Sequence, residues 1–548
     1  MASEVPADGR WELAFPILTD DQIQRLEPFG TTIEIPKGRS VWEAGSPNMC
    51  MFVVLDGEME IHDPRTGTEL AVHRKGAFSG DIDVISGRPS IVRSIARSDL
   101  RLLEIPGDEV RHIVGEHPLM GDIILRAFIS RRGILQDSNV AGVFVLGSRY
   151  SGDVLRIREF LQRNRYPVIW QDVETHEDAE MLLKEFQISE DETPYLVLPN
   201  GKTLRAPTID ELAEELGVSA QIEDKVYDLA IIGAGPAGLA AGVYGASEGL
   251  STLILDRDGP GGQAGTSSRI ENYMGFPMGL SGQDLADRAV SQAEKFGAQF
   301  LVPVHVSGLT CADNGLHRVH LTNRPDIVTR AVILTPGAIY RKLDIDNLAQ
   351  YENNGIYYSA TNVERILCKD EAVAVVGAGN SAGQAAIFMS EHSAHVFLVV
   401  RGDDLRKTMS SYLARRIEIS DRITTLLNAD ICELHGGSHL ESATIVDRKT
   451  GKARTEGLAG IFVMIGAIPR TDWLPEKITC NDRGFILTGQ ETVEAGKWKE
   501  SRPPYFLETT CPGVFAAGDA RCSSVKRVAS AVGEGAMAVA FVHQYLAG

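Results

Sequence analysis

Short apolar runs recur along the chain, each stopped by glycine or a polar turn, and they fall into three successive patterns. In the first, runs at 31–35, 51–55, 58–61, 70–72 and 100–105 alternate with polar residues, and helical spacing follows at 108–116 and 121–132. That order predicts a small β-roll capped by helices. In the second, residues 140–148 form an apolar strand, 151–163 a helix and 166–172 another strand. Thr193-Pro194 then leads into a run at 195–198, the turn Pro199-Asn200-Gly201 and a helix at 209–216. From residue 226 onward, fully apolar runs alternate with helices rich in small residues, the mark of parallel strands covered on both faces.

The third pattern carries the clearest chemistry. An apolar run at 229–232 stops at Gly233-Ala234-Gly235-Pro236-Ala237-Gly238, and a small-residue helix leads to a second apolar run ending at Asp256. In such a βαβ unit Gly233 permits the tight turn, Gly235 lets the backbone approach a pyrophosphate, and Gly238 lets helix pack on strand. The helix N-terminus stabilises phosphate charge, and Asp256 stands where an acid bonds a ribose hydroxyl. A second unit follows. The strand 372–376 runs into Gly377-Ala378-Gly379-Asn380-Ser381-Ala382, and the next strand, 396–400, ends at Arg401 instead of an acid. An Arg there accommodates the 2′-phosphate of NADP, and Arg406 and Lys407 add positive charge nearby.

Composition narrows the partners. Among 548 residues, 54 Lys and Arg face 74 Asp and Glu, a net charge of −20 that disfavours neutralising a nucleic-acid backbone. The seven cysteines, at 50, 311, 368, 432, 480, 511 and 522, are scattered, so neither a disulfide framework nor a Cys-x-x-Cys metal site is expected, and no metal ligand is assigned. With no apolar signal core at the N-terminus and no run long enough to span a membrane, a cytoplasmic protein is expected.

The stretches MFVVLDGEMEI and FSGDIDVISGRPSIVRS resemble the cyclic nucleotide-binding domain. In that family an acid takes the ribose hydroxyl and an Arg directly after a Pro pairs with the phosphate. Here Gly80-Asp81 stands where Gly-Glu is usual and Pro89 is followed by Ser90, which leaves Arg88 or Arg93 to supply the cation. A cyclic nucleotide site and a protein-contact module both remain open. The second pattern resembles a thioredoxin- or glutaredoxin-like domain, in which the Pro of Thr-Pro is cis and faces a dithiol. The dithiol positions read Ser148-Arg149-Tyr150-Ser151, which implies a docking or spacer module without thiol exchange.

From residue 226 the chain resembles thioredoxin reductase and its flavoprotein relatives. Gly259-Pro260-Gly261-Gly262-Gln263 and Ile270-Glu271-Asn272-Tyr273 match segments that wrap the FAD, with Gly262, Gln263 and Asn272 the contact candidates. The run ending in Thr335-Pro336-Gly337-Ala338 resembles the crossover into the NADPH domain. Near the end, Gly518 and Asp519 match the motif that holds the ribityl chain, and Ala529 lies in the first turn of the last helix. The family's NADPH enzymes carry His-Arg-Arg and a further Arg. Here Arg401 and Arg406 match and the His and second Arg are lost. The family's Cys-x-x-Cys is replaced by Ser359 and Asn362, which cannot exchange thiols, so no catalytic residue is carried over.

The expected fold is multidomain α/β, with an N-terminal β-roll, a thioredoxin-like domain and two Rossmann-like dinucleotide-binding domains. The divisions are 1–137 (cyclic nucleotide-binding-like), 138–222 (thioredoxin-like), 223–338 with 471–548 (FAD) and 339–470 (NADPH). The resemblance implies a homodimer with FAD and NADPH, hydride passing from nicotinamide to flavin. The electron acceptor stays open. Two further readings stand beside it: a slowly turning flavin-bound signalling or scaffold protein, and a ferredoxin- or flavodoxin-type NADP reductase. In the family the nicotinamide domain rotates against the FAD domain, a motion the front modules could bias.

Overall fold

The computed structural model describes residues 10–47, 49–138, 140–174, 193–218, 223–267, 270, 272–312, 315–352, 354–358, 360, 366 and 368–548. Ser359, Asn362 and Glu271 lie outside the described residues. The front of the chain is a β-roll of two sheets. Thr31–Ile35 and Cys50–Asp56 flank Leu100–Pro106 in one, and Ser40–Trp42, Arg93–Ala96, Met59–His62 and Glu69–His73 form the other. The helices Gly107–Glu116 and Pro118–Ser138 close it. The next sheet runs Thr203–Arg205, Tyr195–Val197, Val143–Leu146, Val168–Gln171, with the last two parallel and helix Gly152–Arg163 between them. The Thr193-Pro194 bond that enters it is cis.

The largest sheet explains the unbroken apolar runs. Val226–Ile232 lies parallel to Thr252–Leu255 on one side and Ile327–Leu334 on the other, and Val514–Ala516 adds in parallel to the latter. Along Val226–Ile232 alternate residues go to opposite cores, Leu229 and Ile231 to one, Ala230 and Ile232 to the other. From Leu229 to Ile232 both faces are therefore buried and every residue is apolar; the strand's one acid, Asp228, lies ahead of that stretch and accepts from Ser251. The same division recurs in the second parallel sheet, ordered Ile356–Tyr357, Gly460–Val463, Ala372–Val376, His395–Val400, Ile423–Leu427: Val373 and Val375 face one core, Ala374 and Val376 the other. The chain leaves the first sheet along Ala338–Tyr340 and returns along Ala467–Pro469, an antiparallel pair that joins the two units.

Candidate functional site

Both glycine turns are shaped by contacts that no side chain would survive. Gly233 has φ +112°, and a Cβ there would lie 2.1 Å from the Thr335 carbonyl oxygen. At Gly238 a Cβ would meet the Gly233 carbonyl oxygen at 1.8 Å, so helix Pro236–Ser247 rests directly on the turn. The Thr335 hydroxyl locks it by donating to the carbonyls of Gly233 (2.8 Å) and Ile232 (3.1 Å). Gly235 is different: its Cβ position meets only Gly262 Cα, at 3.8 Å, leaving an open cradle where Pro236 begins the helix and Ala237 follows. Such a cradle beside a helix N-terminus fits a pyrophosphate.

Asp256 holds this cradle together. Its carboxylate accepts from the N–H groups of Ala234 (2.7 Å), Asp258 (2.9 Å) and Gly259 (3.0 Å), and burial pushes its pKa up against the pull of those donors. Gln263 donates to the Ala338 carbonyl at 2.7 Å, tying the turn around Gly262 to the crossover, whereas Asn272 is exposed. Gly518 (φ +76°) packs under Ala237, and its N–H donates to Glu534 at 2.7 Å; Glu534 also accepts from Arg521 at 2.6 Å. Burial raises the neighbouring Asp519 carboxyl, opposed by Lys526, whose ammonium donates to the Asp519 carbonyl. Ala529 is exposed in the first turn of helix Val528–Ala547. That helix lies so close to Pro236–Ser247 that a Cβ on Gly535 would stand 2.0 Å from the Ala237 oxygen. The roles of Thr335 and Glu534 escape sequence reasoning because each acts on a backbone away from it in the chain: Thr335 shows in the sequence only as part of the crossover run, and Glu534 belongs to no motif.

At the second turn Gly377 (φ +145°) leaves no room for a Cβ, 2.3 Å from the Met464 oxygen, while Gly379 is open. Asn380 accepts from the Ser410 N–H at 2.7 Å, Ser381 is in the first turn of helix Asn380–Ser390, and Ala382 is buried beneath it. The three cations beyond the sheet all meet carboxylates: Arg401 with Asp430 (2.9 Å), Arg406 with Glu418 (2.6 Å) and Lys407 with Asp403 (2.7 Å). All three cations are more than half exposed. Exposed pairs are worth about 0–1 kcal/mol, less than the roughly 1.5–3 kcal/mol of a charge-assisted bond to phosphate, so a 2′-phosphate can displace them.

The loop holding Ser148 to Ser151 lies against the second unit. Tyr150 stacks on His439 with ring centroids 4.0 Å apart, and Leu155 is buried with Tyr357, Ala360 and Cys368. A cavity of about 630 Å³ opens there, lined by Arg149, Tyr150, Asn354, Lys369, His439 and Glu441. The module of residues 143–216 thus sits over Tyr357, Ala360 and Cys368, ahead of the second fingerprint. Cys368 is fully buried.

In the β-roll, Asp81 caps helix Ile82–Ser86 and is paired with Arg132 at 2.6 Å, which also binds Asp83. Burial pushes Asp81 up, opposed by Arg132. Arg131 donates to the Gly80 carbonyl at 2.7 Å. Arg88 leaves the cassette and donates to the Asn164 carbonyl at 2.8 Å, and Arg93 is half-buried on its strand. Arg132 also reaches the Arg165 carbonyl (3.3 Å), and Arg165 binds Glu294 at 3.0 Å and Ser291 at 3.1 Å. A line of buried charge therefore runs from the β-roll to helix Gly282–Lys295 beside the first glycine turn.

Two sheets, one parallel and one with a parallel core extended by an antiparallel hairpin, are joined by one strand pair, and each has a glycine turn opening a helix, the arrangement of an oxidoreductase with two dinucleotide-binding units. The chain belongs to the pyridine nucleotide-disulphide oxidoreductase family, which matches residues 227–535, and is an FAD-containing NAD(P)H oxidoreductase of the thioredoxin-reductase-like type. A cyclic nucleotide-binding domain matches residues 32–117. The chain is 30% identical over 325 residues to a thioredoxin reductase of Bacillus subtilis, covering 59% of this chain and 96% of that one. To a thioredoxin reductase of Peptoclostridium acidaminophilum it is 32% identical over 330 residues, covering 59% and 98%. The crystal structure of T. acidophilum thioredoxin reductase superposes with a TM-score of 0.53 at 28% identity, covering 59% of this chain and all (100%) of that one. That family uses FAD and NADPH.

Proposed function

We propose that this protein passes hydride from NADPH to bound FAD, and electrons onward to an acceptor that is not a disulfide reduced through a Cys-x-x-Cys of its own. The observation that carries this is the pairing of two complete glycine cradles with a chain that has no cysteine between Cys311 and Cys368, the stretch in which the family dithiol would fall. Bound FAD supplies the two-electron centre. The chain's own part is positional. Gly233, Gly235 and Gly238 would admit one pyrophosphate, Asp256 fixes the loop beside that cradle, and Asp519, steadied through Gly518 by Glu534, would hold the ribityl chain of FAD. Gly377 and Gly379 admit the second pyrophosphate, with Asn380, Ser381 and Ala382 opening the helix beneath it and Arg401 and Arg406 reading the 2′-phosphate. The expected assembly is a homodimer in the cytoplasm. Anaerobic mixing tests the reading: one equivalent of NADPH should bleach the flavin, and an unbleached flavin overturns it.

Arg401→Ala should lower the preference for NADPH over NADH about tenfold, the low end for a phosphate bond because the side chain is exposed. Stopped-flow reduction of wild type and variant with both coenzymes measures it. Equal ratios would show that Arg401 does not read the phosphate.

The front domain is proposed to act on the flavoprotein through the Arg132, Arg165 and Glu294 line, not through cyclic AMP or GMP. Opening the Asp81–Arg132 pair for a ribose strips a partner from a buried charge, at a cost of about 3–5 kcal/mol. Calorimetry should therefore register no binding of either nucleotide at micromolar concentration, and micromolar binding would refute this account of the cassette.

A further inference from the structure

Three residues the redox reading leaves unused meet on the far part of the FAD unit. Cys311 follows strand Val306–Thr310, His317 opens strand His317–Leu321, and Cys511 lies just ahead of strand Val514–Ala516. Their ligand atoms all lie within 4.8 Å of one another. His317 is 0% and Cys511 1% exposed. Neither ring nitrogen of His317 has a hydrogen-bond partner among the described residues. A buried polar group without a partner costs about 1–3 kcal/mol, so an imidazole sealed in this way is anomalous unless something binds it. The Cys511 thiol donates to the Pro512 carbonyl at 3.9 Å. None of the seven cysteines is in a disulfide.

We infer that Cys311, His317 and Cys511 form a binding site for a thiophilic cation, Zn²⁺ foremost. Two thiolates and one imidazole are the donors zinc prefers, and such a set excludes Mg²⁺ and Ca²⁺, which take oxygen. Zinc bonds of about 2.3 Å to sulfur and 2.0–2.1 Å to nitrogen put tetrahedral ligand atoms roughly 3.5 Å apart, so the cluster needs to close by about 1 Å, within reach of side-chain rotation. Two thiolates neutralise the ion in a dry site. Cys311 is half-buried, so its side is where a fourth ligand, water, would enter. The ion would stitch the 306–321 hairpin to the segment that feeds Val514–Ala516 and, beyond it, Gly518 and Asp519.

The full-length protein, reduced and then loaded with zinc chloride and desalted, should retain about one zinc per chain by elemental analysis. Cobalt loading should give intense absorption in the red, clear of the oxidised flavin, as thiolate-bound tetrahedral cobalt does. Cys311→Ser, at the half-buried position, should lose both signals while keeping its flavin, and Cys432→Ser, an exposed thiol in the other unit, should keep both. Zinc should also raise the thermal midpoint of wild type and not of Cys311→Ser. Substoichiometric zinc in wild type, zinc content unchanged in Cys311→Ser, or a Cys311–Cys511 disulfide in the protein as isolated would each overturn the inference. Because flavin content is read separately, failure here leaves the redox reading standing.

Discussion

Gly235→Ala protein is expected to fold and to come off the column nearly colourless. Gly235 has φ −73°, a backbone any residue adopts, and its Cβ would meet nothing closer than Gly262 Cα at 3.8 Å. The apoprotein should therefore melt as wild-type apoprotein does. A methyl group in the open cradle stands where a pyrophosphate must approach the backbone, and displacing several charge-assisted contacts should weaken FAD by at least about a hundredfold, or roughly 2.7 kcal/mol. Gly238→Ala makes the contrast. Its Cβ would lie 1.8 Å from the Gly233 oxygen, backbone that cannot swing aside, so both apoprotein stability and flavin should be lost, the former by about 1–3 kcal/mol or more. Flavin absorbance per chain and apoprotein melting, read together, decide it. A fully yellow Gly235→Ala protein would mean that the cradle does not hold the FAD.

These glycines could be read from sequence because everything that fixes them is local: a strand, a turn, a helix and a strand in unbroken order. The strand expected at 372–376 is found at those residues, and the one expected at 396–400 begins one residue earlier, at His395. The apolar pattern alone does not show strands Ser40–Trp42 and Arg93–Ala96 or helix Ile82–Ser86, which are too short for a period, although the resemblance of the 78–94 stretch implies a short helix there. Side-chain partnerships were the other loss. Asp81 was legible as an acid at a cassette position, but its partner Arg132 sits in a helix whose spacing advertises only a cap on the β-roll. Arg88 looked like a spare cation for the same cassette, and it is spent on the Asn164 carbonyl in the next module. Tyr150 against His439, and Cys311 with His317 and Cys511, are pairings made by the packing of distant segments, which no spacing rule foresees.

Anaerobic titration of the flavoprotein with NADPH should end at two electrons per flavin, where a working dithiol would take up four. Thiol exchange needs a thiolate, and Ser359 and Asn362 offer a hydroxyl and an amide. Cys368 is fully buried among Tyr357, Ala360 and Leu155, so no second sulfur can be presented to it without opening that core. Leu155 belongs to helix Gly152–Arg163 of the preceding module, so that module covers Tyr357, Ala360 and Cys368 and should keep a disulfide partner from this face. Adding thioredoxin should consequently leave NADPH oxidation unchanged. The Ser359→Cys, Asn362→Cys double variant should gain the second electron pair and still fail to turn thioredoxin over, because the dithiol returns and the covered face does not. Uptake of four electrons by wild type would overturn the argument. Repeating the titration on Cys311→Ser would then tell whether the extra pair had gone to the sulfurs beside His317 or to a centre near Cys368.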